Sequence, residues 1–146
     1  MRFKFLVVNI ILCLFFNSFS FADEKRSGIN FYTGMFDFSD DGKRATIYGI
    51  EHQNENLYRD TIFGRISPVT GAMITADSAT YVYTGIEANY SLGALNVTPS
   101  FTPGWYRQGD GKDLGHPLEF KSEVQLSLDL SEGTNLGMSY NHVSNA

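Results

Sequence analysis

A histidine and a serine two positions apart, His142 and Ser144, close the chain in the run Asn141-His142-Val143-Ser144-Asn145-Ala146. On a β-strand the side chains at i and i+2 share one face, so this spacing sets a base beside a hydroxyl. A serine hydroxyl is a poor nucleophile until a neighbouring base takes its proton, and the chemistry such a pair serves is acyl transfer. His-x-Ser is also a short pattern that arises where a strand leaves an apolar layer for a polar interface. The elements around the pair decide between these readings.

Those elements are strands. Leu136, Met138 and Tyr140 share a face with His142 and Ser144, while Asn135, Ser139 and Asn141 point the other way. Between residues 120 and 130, Phe120, Val124, Leu126, Leu128 and Leu130 form one face, and Lys121, Glu123, Gln125, Ser127 and Asp129 the other. That polar face is too long and too charged for the inside of a small soluble sandwich. Leu95, Val97, Pro99, Phe101, Pro103 and Trp105 repeat the pattern against Asn96, Thr98, Ser100, Thr102 and Tyr106. The two prolines weaken this segment as a central strand, since each removes a ladder donor.

Further strands are expected at 29–38, 44–52, 61–75 with a break near Pro68, 81–92 and 135–144, for a total of about seven. Turn clusters separate them at Ser39-Asp40-Asp41-Gly42, Asn54-Glu55-Asn56, Ala76-Asp77-Ser78, Gly109-Asp110-Gly111 and Glu132-Gly133-Thr134. No amphipathic helix stands out after residue 23.

The start of the chain reads as an address. Arg2 and Lys4 precede an apolar run over 6–16, and Ser20-Phe21-Ala22 forms a small-x-small cleavage site. A signal peptide over 1–22 and a barrel domain over 23–146 are expected. The single cysteine, Cys13, falls inside the leader, so the exported domain holds no disulfide. Taking Arg2 and Lys4 from the 11 basic residues leaves nine against 16 acidic ones, a net of −7. With no basic cluster to neutralise phosphates, nucleic acid is not an expected partner. Lys112 and Lys121 are isolated and read as solvated or lumenal. His52, His116 and His142 stand on separate segments without ligand spacing, so neither a metal nor another cofactor is expected.

A leader, strands of about ten residues, strict alternation and abundant aromatics together describe a transmembrane barrel with apolar residues toward lipid and polar ones inside. A secreted soluble barrel shows the same alternation in the opposite sense. Small bacterial barrels have even strand numbers from eight upward, one more than the count here.

His142-Val143-Ser144-Asn145-Ala146 resembles the His-x-Ser-Asn-Ala signature of the PagL-type lipid A 3-O-deacylases, a family also labelled acyloxyacyl hydrolase. Residues 69–72 leading into Thr80-Tyr81-Val82-Tyr83-Thr84-Gly85, the 99–106 stretch ending in Gly104-Trp105-Tyr106, and Gly115-His116-Pro117-Leu118-Glu119-Phe120-Lys121-Ser122-Glu123 agree with it. The resemblance implies an all-β, antiparallel, eight-stranded barrel in the outer membrane of a Gram-negative bacterium. It implies an esterase acting on lipid A of lipopolysaccharide at the 3-position, with a homodimer left open. By the same resemblance Ser144 is the nucleophile, His142 its base and Asn145 a candidate for holding the oxyanion, although the Asn145 side chain starts on the opposite face.

The family's third residue, a glutamate that orients the histidine, follows the signature and falls beyond Ala146. Glu119, Glu123 and Glu132 read as ordinary carboxylates rather than substitutes. The expectation is a sequence cut short before this acid and the closing strand; a degenerate relative that ends here naturally is the other reading. The alternative function is a non-catalytic small outer-membrane barrel with a structural or surface role. A soluble periplasmic binding barrel is a third.

Overall fold

Strands with one apolar and one polar face must pair on both edges and bury one face, and a closed ring satisfies both demands at once. The computed structural model describes residues 9–19, 27–37, 42 and 44–145 and shows such a ring. Arg2, Lys4, Ser20-Phe21-Ala22, Ser39-Asp40-Asp41 and Ala146 lie outside the described residues. The strands are β1 (Asn9–Phe19), β2 (Ser27–Phe36), β3 (Ala45–Asn54), β4 (Arg59–Thr61), β5 (Gly64–Thr75), β6 (Thr80–Ala88), β7 (Tyr90–Leu92), β8 (Leu95–Arg107), β9 (Leu118–Ser131) and β10 (Thr134–Ser144). A single 3-10 turn, Glu55–Leu57, is the only helical element among them.

Antiparallel pairings run β1–β2–β3–β5–β6–β8–β9–β10 and return from β10 to β1. The fold is therefore all-β and curls into a barrel. Seven of the long strands lie after residue 23, as the sequence indicates. The remaining place, between β10 and β2, is taken by β1, within the segment expected to be a leader.

One expectation changes. The 61–75 segment does not break at Pro68: β5 runs through it, pairing Pro68 with Ile86 of β6. On its other edge β5 pairs with β4 as far as Ile66 and with β3 only from Val69 onward. Pro68 sits in the gap between those two ladders, where its missing N–H deprives no partner. The break falls instead at Ile62–Phe63, the loop between β4 and β5. Pro99 and Pro103 do not end β8, which is 13 residues long, but both fall at gaps in its pairing on the β6–β7 edge, the lost ladder bonds that proline predicts. The ladder to β6 lapses only between the Tyr83–Gly104 and Ile86–Phe101 pairs, beside Pro103.

The sense of the alternation is polar inside and apolar outside. Asn30, Glu51, Glu87, Lys121, Glu123 and Gln125 are buried, whereas Phe31, Tyr48, Val82, Trp105, Leu128 and Met138 are exposed. The lumen divides into two halves. Near the end that carries His142 and Ser144 it is filled by Tyr32, Phe36, Ile47, Tyr81, Tyr106 and Val143. Further along lies a polar cluster in which Lys121 Nζ stands 3.5 Å from both Glu51 and Glu123 and 4.0 Å from the centre of the Tyr83 ring. Tyr83 Oη donates to Glu51 at 2.8 Å, and Ser139 Oγ and Asn141 Nδ2 donate to Glu123 at 3.1 and 2.9 Å.

Removing the cation from this cluster would leave two buried carboxylates facing each other. Lys121→Ala is expected to lower stability by about 3–5 kcal/mol, the usual cost of breaking a buried pair from one side. A urea titration followed by the gel-mobility shift of folded against boiled barrel would measure it. A midpoint unchanged from wild type would show that the pair does not hold the lumen together.

Candidate active site

The end of β10 is positioned by its neighbours' backbones and by the side chains that alternate with the pair. His142 lies opposite Ser122 of β9, and Ser144 opposite Phe120. On its other edge His142 lies opposite Ile10 of β1. Val143, between His142 and Ser144, is fully buried in the apolar lumen plug. Because successive side chains of a strand point to opposite faces, seating Val143 inward turns His142 and Ser144 outward together. Both are half-buried on the outer surface, in line with Leu136, Met138 and Tyr140.

The pair shares a face, as its spacing predicts, but no hydrogen bond joins the two side chains. Buried His142 Nδ1 has no hydrogen-bond partner among the described residues. Glu119 and Glu123 both point into the lumen, on the other face of the sheet from His142. Glu123 is engaged by Lys121, Ser139 and Asn141. Glu132 lies in the β9–β10 turn, at the far end of the hairpin. None of the three carboxylates is placed to orient the imidazole.

Asn145 also points inward. Its Nδ2 donates to the Leu114 carbonyl and lies 3.4 Å from Glu119 Oε1. The side chain thus fastens the strand end to the β8–β9 loop. In that loop His116 Nδ1 accepts from Leu118 N–H at 3.0 Å and Gly115 N–H donates to Asp113 at 2.8 Å.

Outside, Phe120 stacks on Phe101 with centroids 5.9 Å apart, and Trp105 stands exposed opposite Leu118. Lower on the same strands an apolar cavity of about 290 Å³ is lined by Leu95, Leu126, Leu128, Leu136, Gly137 and Met138. A Cβ at Gly137 would stand 2.4 Å from the Leu126 carbonyl oxygen, so only glycine fits this floor.

Sequence reasoning missed the residues that hold the pair in place, namely Ser139, Asn141 and Val143 on β10 and the Asn145 tie to the loop. Their inward parity was legible; their partners on β9 and the loop required the register. Asn145→Ala is expected to cost about 1 kcal/mol through the lost hydrogen bonds and to raise amide exchange selectively over residues 108–117. Exchange unchanged there would mean that Asn145 does not restrain the loop.

Comparison with known proteins bears on this constellation directly. The family model for lipid A 3-O-deacylase (PagL) matches residues 32–146, from within β2 to the end of the chain. No curated protein and no solved structure gives a match. The match spans the barrel strands and the His142–Ser144 segment alike, and the chain belongs to the lipid A 3-O-deacylase (PagL) family.

Proposed function

We propose that this protein is an outer-membrane serine esterase that removes the acyl chain ester-linked at the 3-position of lipid A. The observation that carries this reading is the outward placement of His142 and Ser144 at the rim of an apolar barrel surface, in a member of the deacylase family. A hydrolase for a soluble substrate would open its site to a lumen or a cleft. A polar pair on a lipid-facing surface is costly unless it is used, and the substrate within its reach is a lipid of the same membrane.

In the reaction Ser144 Oγ attacks the ester carbonyl carbon while His142 takes its proton. Collapse of the tetrahedral intermediate expels the 3-oxygen of the sugar, which leaves as the alcohol with the proton returned by His142. Water, deprotonated by the same imidazole, then cleaves the acyl-enzyme and frees the fatty acid. Asn145 is the oxyanion candidate; its amide is held inside, so the role requires the strand end to turn it toward the site. From Ser144 to Met138 the outer face of β10 descends six residues, roughly 20 Å. It ends in the Leu126–Leu136–Met138 cavity, where a long acyl chain can lie.

On this reading export removes residues 1–22. The place of β1 between β2 and β10 then passes to another strand, since an open sheet edge is not tolerated in lipid.

Ser144→Ala is expected to abolish release of 3-hydroxy fatty acid from lipid A while the protein still partitions into the detergent-extracted membrane fraction. His142→Asn is expected to lower the rate by about 10²–10⁴-fold, the usual worth of a general base. Unchanged release from the serine variant would remove Ser144 as the nucleophile. One observation favours the second reading, a non-catalytic barrel with a structural or surface role: His142 Nδ1 is buried without a partner among the described residues. Wild-type protein that inserts into membranes but releases no fatty acid would establish that reading.

A further inference from the structure

The loop between β4 and β5 sets large apolar side chains at the tip of a tight turn. Arg59 pairs with Ile66, Asp60 with Arg65 and Thr61 with Gly64, which leaves a two-residue connection, Ile62-Phe63. Neither Ile62 nor Phe63 has a positive φ and the left-handed position falls on Gly64, so the turn accepts most residue types and does not call for apolar ones. Here two large apolar residues stand at the tip, and Ile62 is 93% and Phe63 68% exposed.

Neither side chain helps to make the turn. Thr61 Oγ1 accepts from Phe63 N–H at 3.1 Å and donates to the Gly64 carbonyl at 2.9 Å. Gly64 supplies the left-handed backbone at φ +92°, and Tyr90 Oη caps the Phe63 carbonyl. The tip is therefore a rigid mount for two apolar side chains that contribute nothing to the mount itself.

We propose that this hairpin is a membrane-surface anchor. Ile62 and Phe63 enter the phospholipid leaflet at the barrel end opposite His142 and Ser144, and Arg59 and Arg65 meet the lipid phosphates. The proposal rests on the membrane reading above and adds a second point of contact to it.

Three observations select a lipid surface. The first is height: β5 has 12 residues, and at about 3.3 Å per residue and a tilt of about 40° it climbs roughly 30 Å. The apolar band of such barrels is about 25 Å tall, so the tip emerges at its far edge.

The second is charge. Arg59 and Arg65 are both exposed beside the tip. The one carboxylate between them, Asp60, is matched by Arg65 at 3.7 Å. Arg65 also lies 4.1 Å from the centre of the Tyr58 ring. Arginines and aromatics around an apolar tip suit the boundary between phosphate and acyl chain.

The third is continuity. Ile66, at the foot of the hairpin, joins Ile86, Pro99 and Phe101 along one shallow cavity of about 240 Å³ on the outer wall. The apolar outer wall of the barrel thus reaches the foot of the hairpin, two residues from Gly64 and the tip.

The test uses tryptophan fluorescence of the full chain in vesicles whose phospholipids are brominated either near the head group or deep in the acyl region. The chain has one tryptophan, so wild type reports from Trp105, on the barrel wall at the other end. A Trp105→Phe/Phe63→Trp variant reports from the tip. The expected result is a blue-shifted tip emission that is quenched by head-group-proximal bromine and shielded from aqueous acrylamide.

Tip emission quenched by acrylamide and not by bromine, with Trp105 still quenched by bromine, would overturn the anchor and leave the membrane barrel standing. Absence of bromine quenching at both positions would overturn the membrane reading and the anchor with it. Tip shielding that disappears when protein is diluted in lipid would assign the hairpin to a second copy of the chain and overturn the anchor. Ile62→Ser/Phe63→Asn keeps residue types that this turn accepts, with Gly64 still at the left-handed position, so it should fold. Combined with Arg59→Gln/Arg65→Gln, it is expected to lose any preference for vesicles containing phosphatidylglycerol over those of phosphatidylcholine alone. Retention of that preference would count against the anchor.

Discussion

The orientation of every side chain on β10 depends on one buried cation. Lys121 holds Glu51 and Glu123 inside the barrel, and Glu123 in turn accepts from Ser139 and Asn141 of β10. These bonds fix the odd-numbered residues of β10 toward the lumen. A strand has a side-chain period of two, so a one-residue slip would send Asn141 outward and His142 inward. Such a slip would strand a carboxylate among apolar neighbours and place an imidazole in the lumen plug. The outward face of His142 and Ser144 is thus set by interactions on the other side of the sheet.

The lumen is organised so that these interactions stay dry at one end and satisfied at the other. Tyr32 and Tyr83 cross the barrel and touch through their hydroxyls at 3.1 Å. They can do so because Gly49 and Gly71 lie beneath their rings: a Cβ at either position would come within 2.0 Å and 2.5 Å of ring atoms. Above this bridge lies the apolar plug that seats Val143; below it lie Glu51, Glu87 and Glu123. Those carboxylates outnumber the single buried lysine among the described residues, and neutral donors supply the difference. Gln53 Nε2 reaches Glu87 at 2.9 Å and Glu51 at 3.3 Å, while Ser67 Oγ reaches Glu87 at 3.4 Å. Hydrogen-bonded networks of this kind make a polar interior tolerable where isolated groups would not be.

Much of this was legible in the sequence because a barrel strand states its faces residue by residue. The two faces of 95–106, of 120–130 and of 136–144 lie where the alternation puts them. What alternation alone leaves open is which face is inside, since a soluble barrel carries the same period in the opposite sense; the buried Lys121 and the exposed Leu126 and Leu128 decide it. Proline misled only at Pro68, because its cost depends on whether a partner waits for the missing N–H, a property of the neighbouring strand; Pro99 and Pro103 do fall at gaps in the ladder. The Ile62-Phe63 turn was invisible for a related reason. Apolar residues look like strand, and only the pairing of Thr61 with Gly64 reveals a tip. At the candidate site the shared face of His142 and Ser144 followed from spacing, whereas the inward anchoring of Asn145 on Leu114 and Glu119 depended on a loop 26 to 31 residues away in sequence.

The unpartnered His142 Nδ1 bears most directly on reactivity. In the proposed reaction His142 accepts the serine proton at Nε2 and must carry its own proton on Nδ1, which is buried and has no hydrogen-bond partner among the described residues. An unsatisfied buried donor costs about 1–3 kcal/mol, and the penalty rises once proton transfer makes the ring a cation. An acceptor at Nδ1 would reverse the balance, favouring the productive tautomer before the reaction and the imidazolium during it. The lumen cannot provide one, because Glu119 and Glu123 are committed to the opposite face. The Ser122 side of the ring offers a hydroxyl on β9, and the opposite side is bordered by the strand that fills the place between β10 and β2. Whichever chain segment occupies that place therefore sets more than the closure of the barrel. On the proposed mechanism it also sets whether the imidazole beside Ser144 is held in the form that can take a proton.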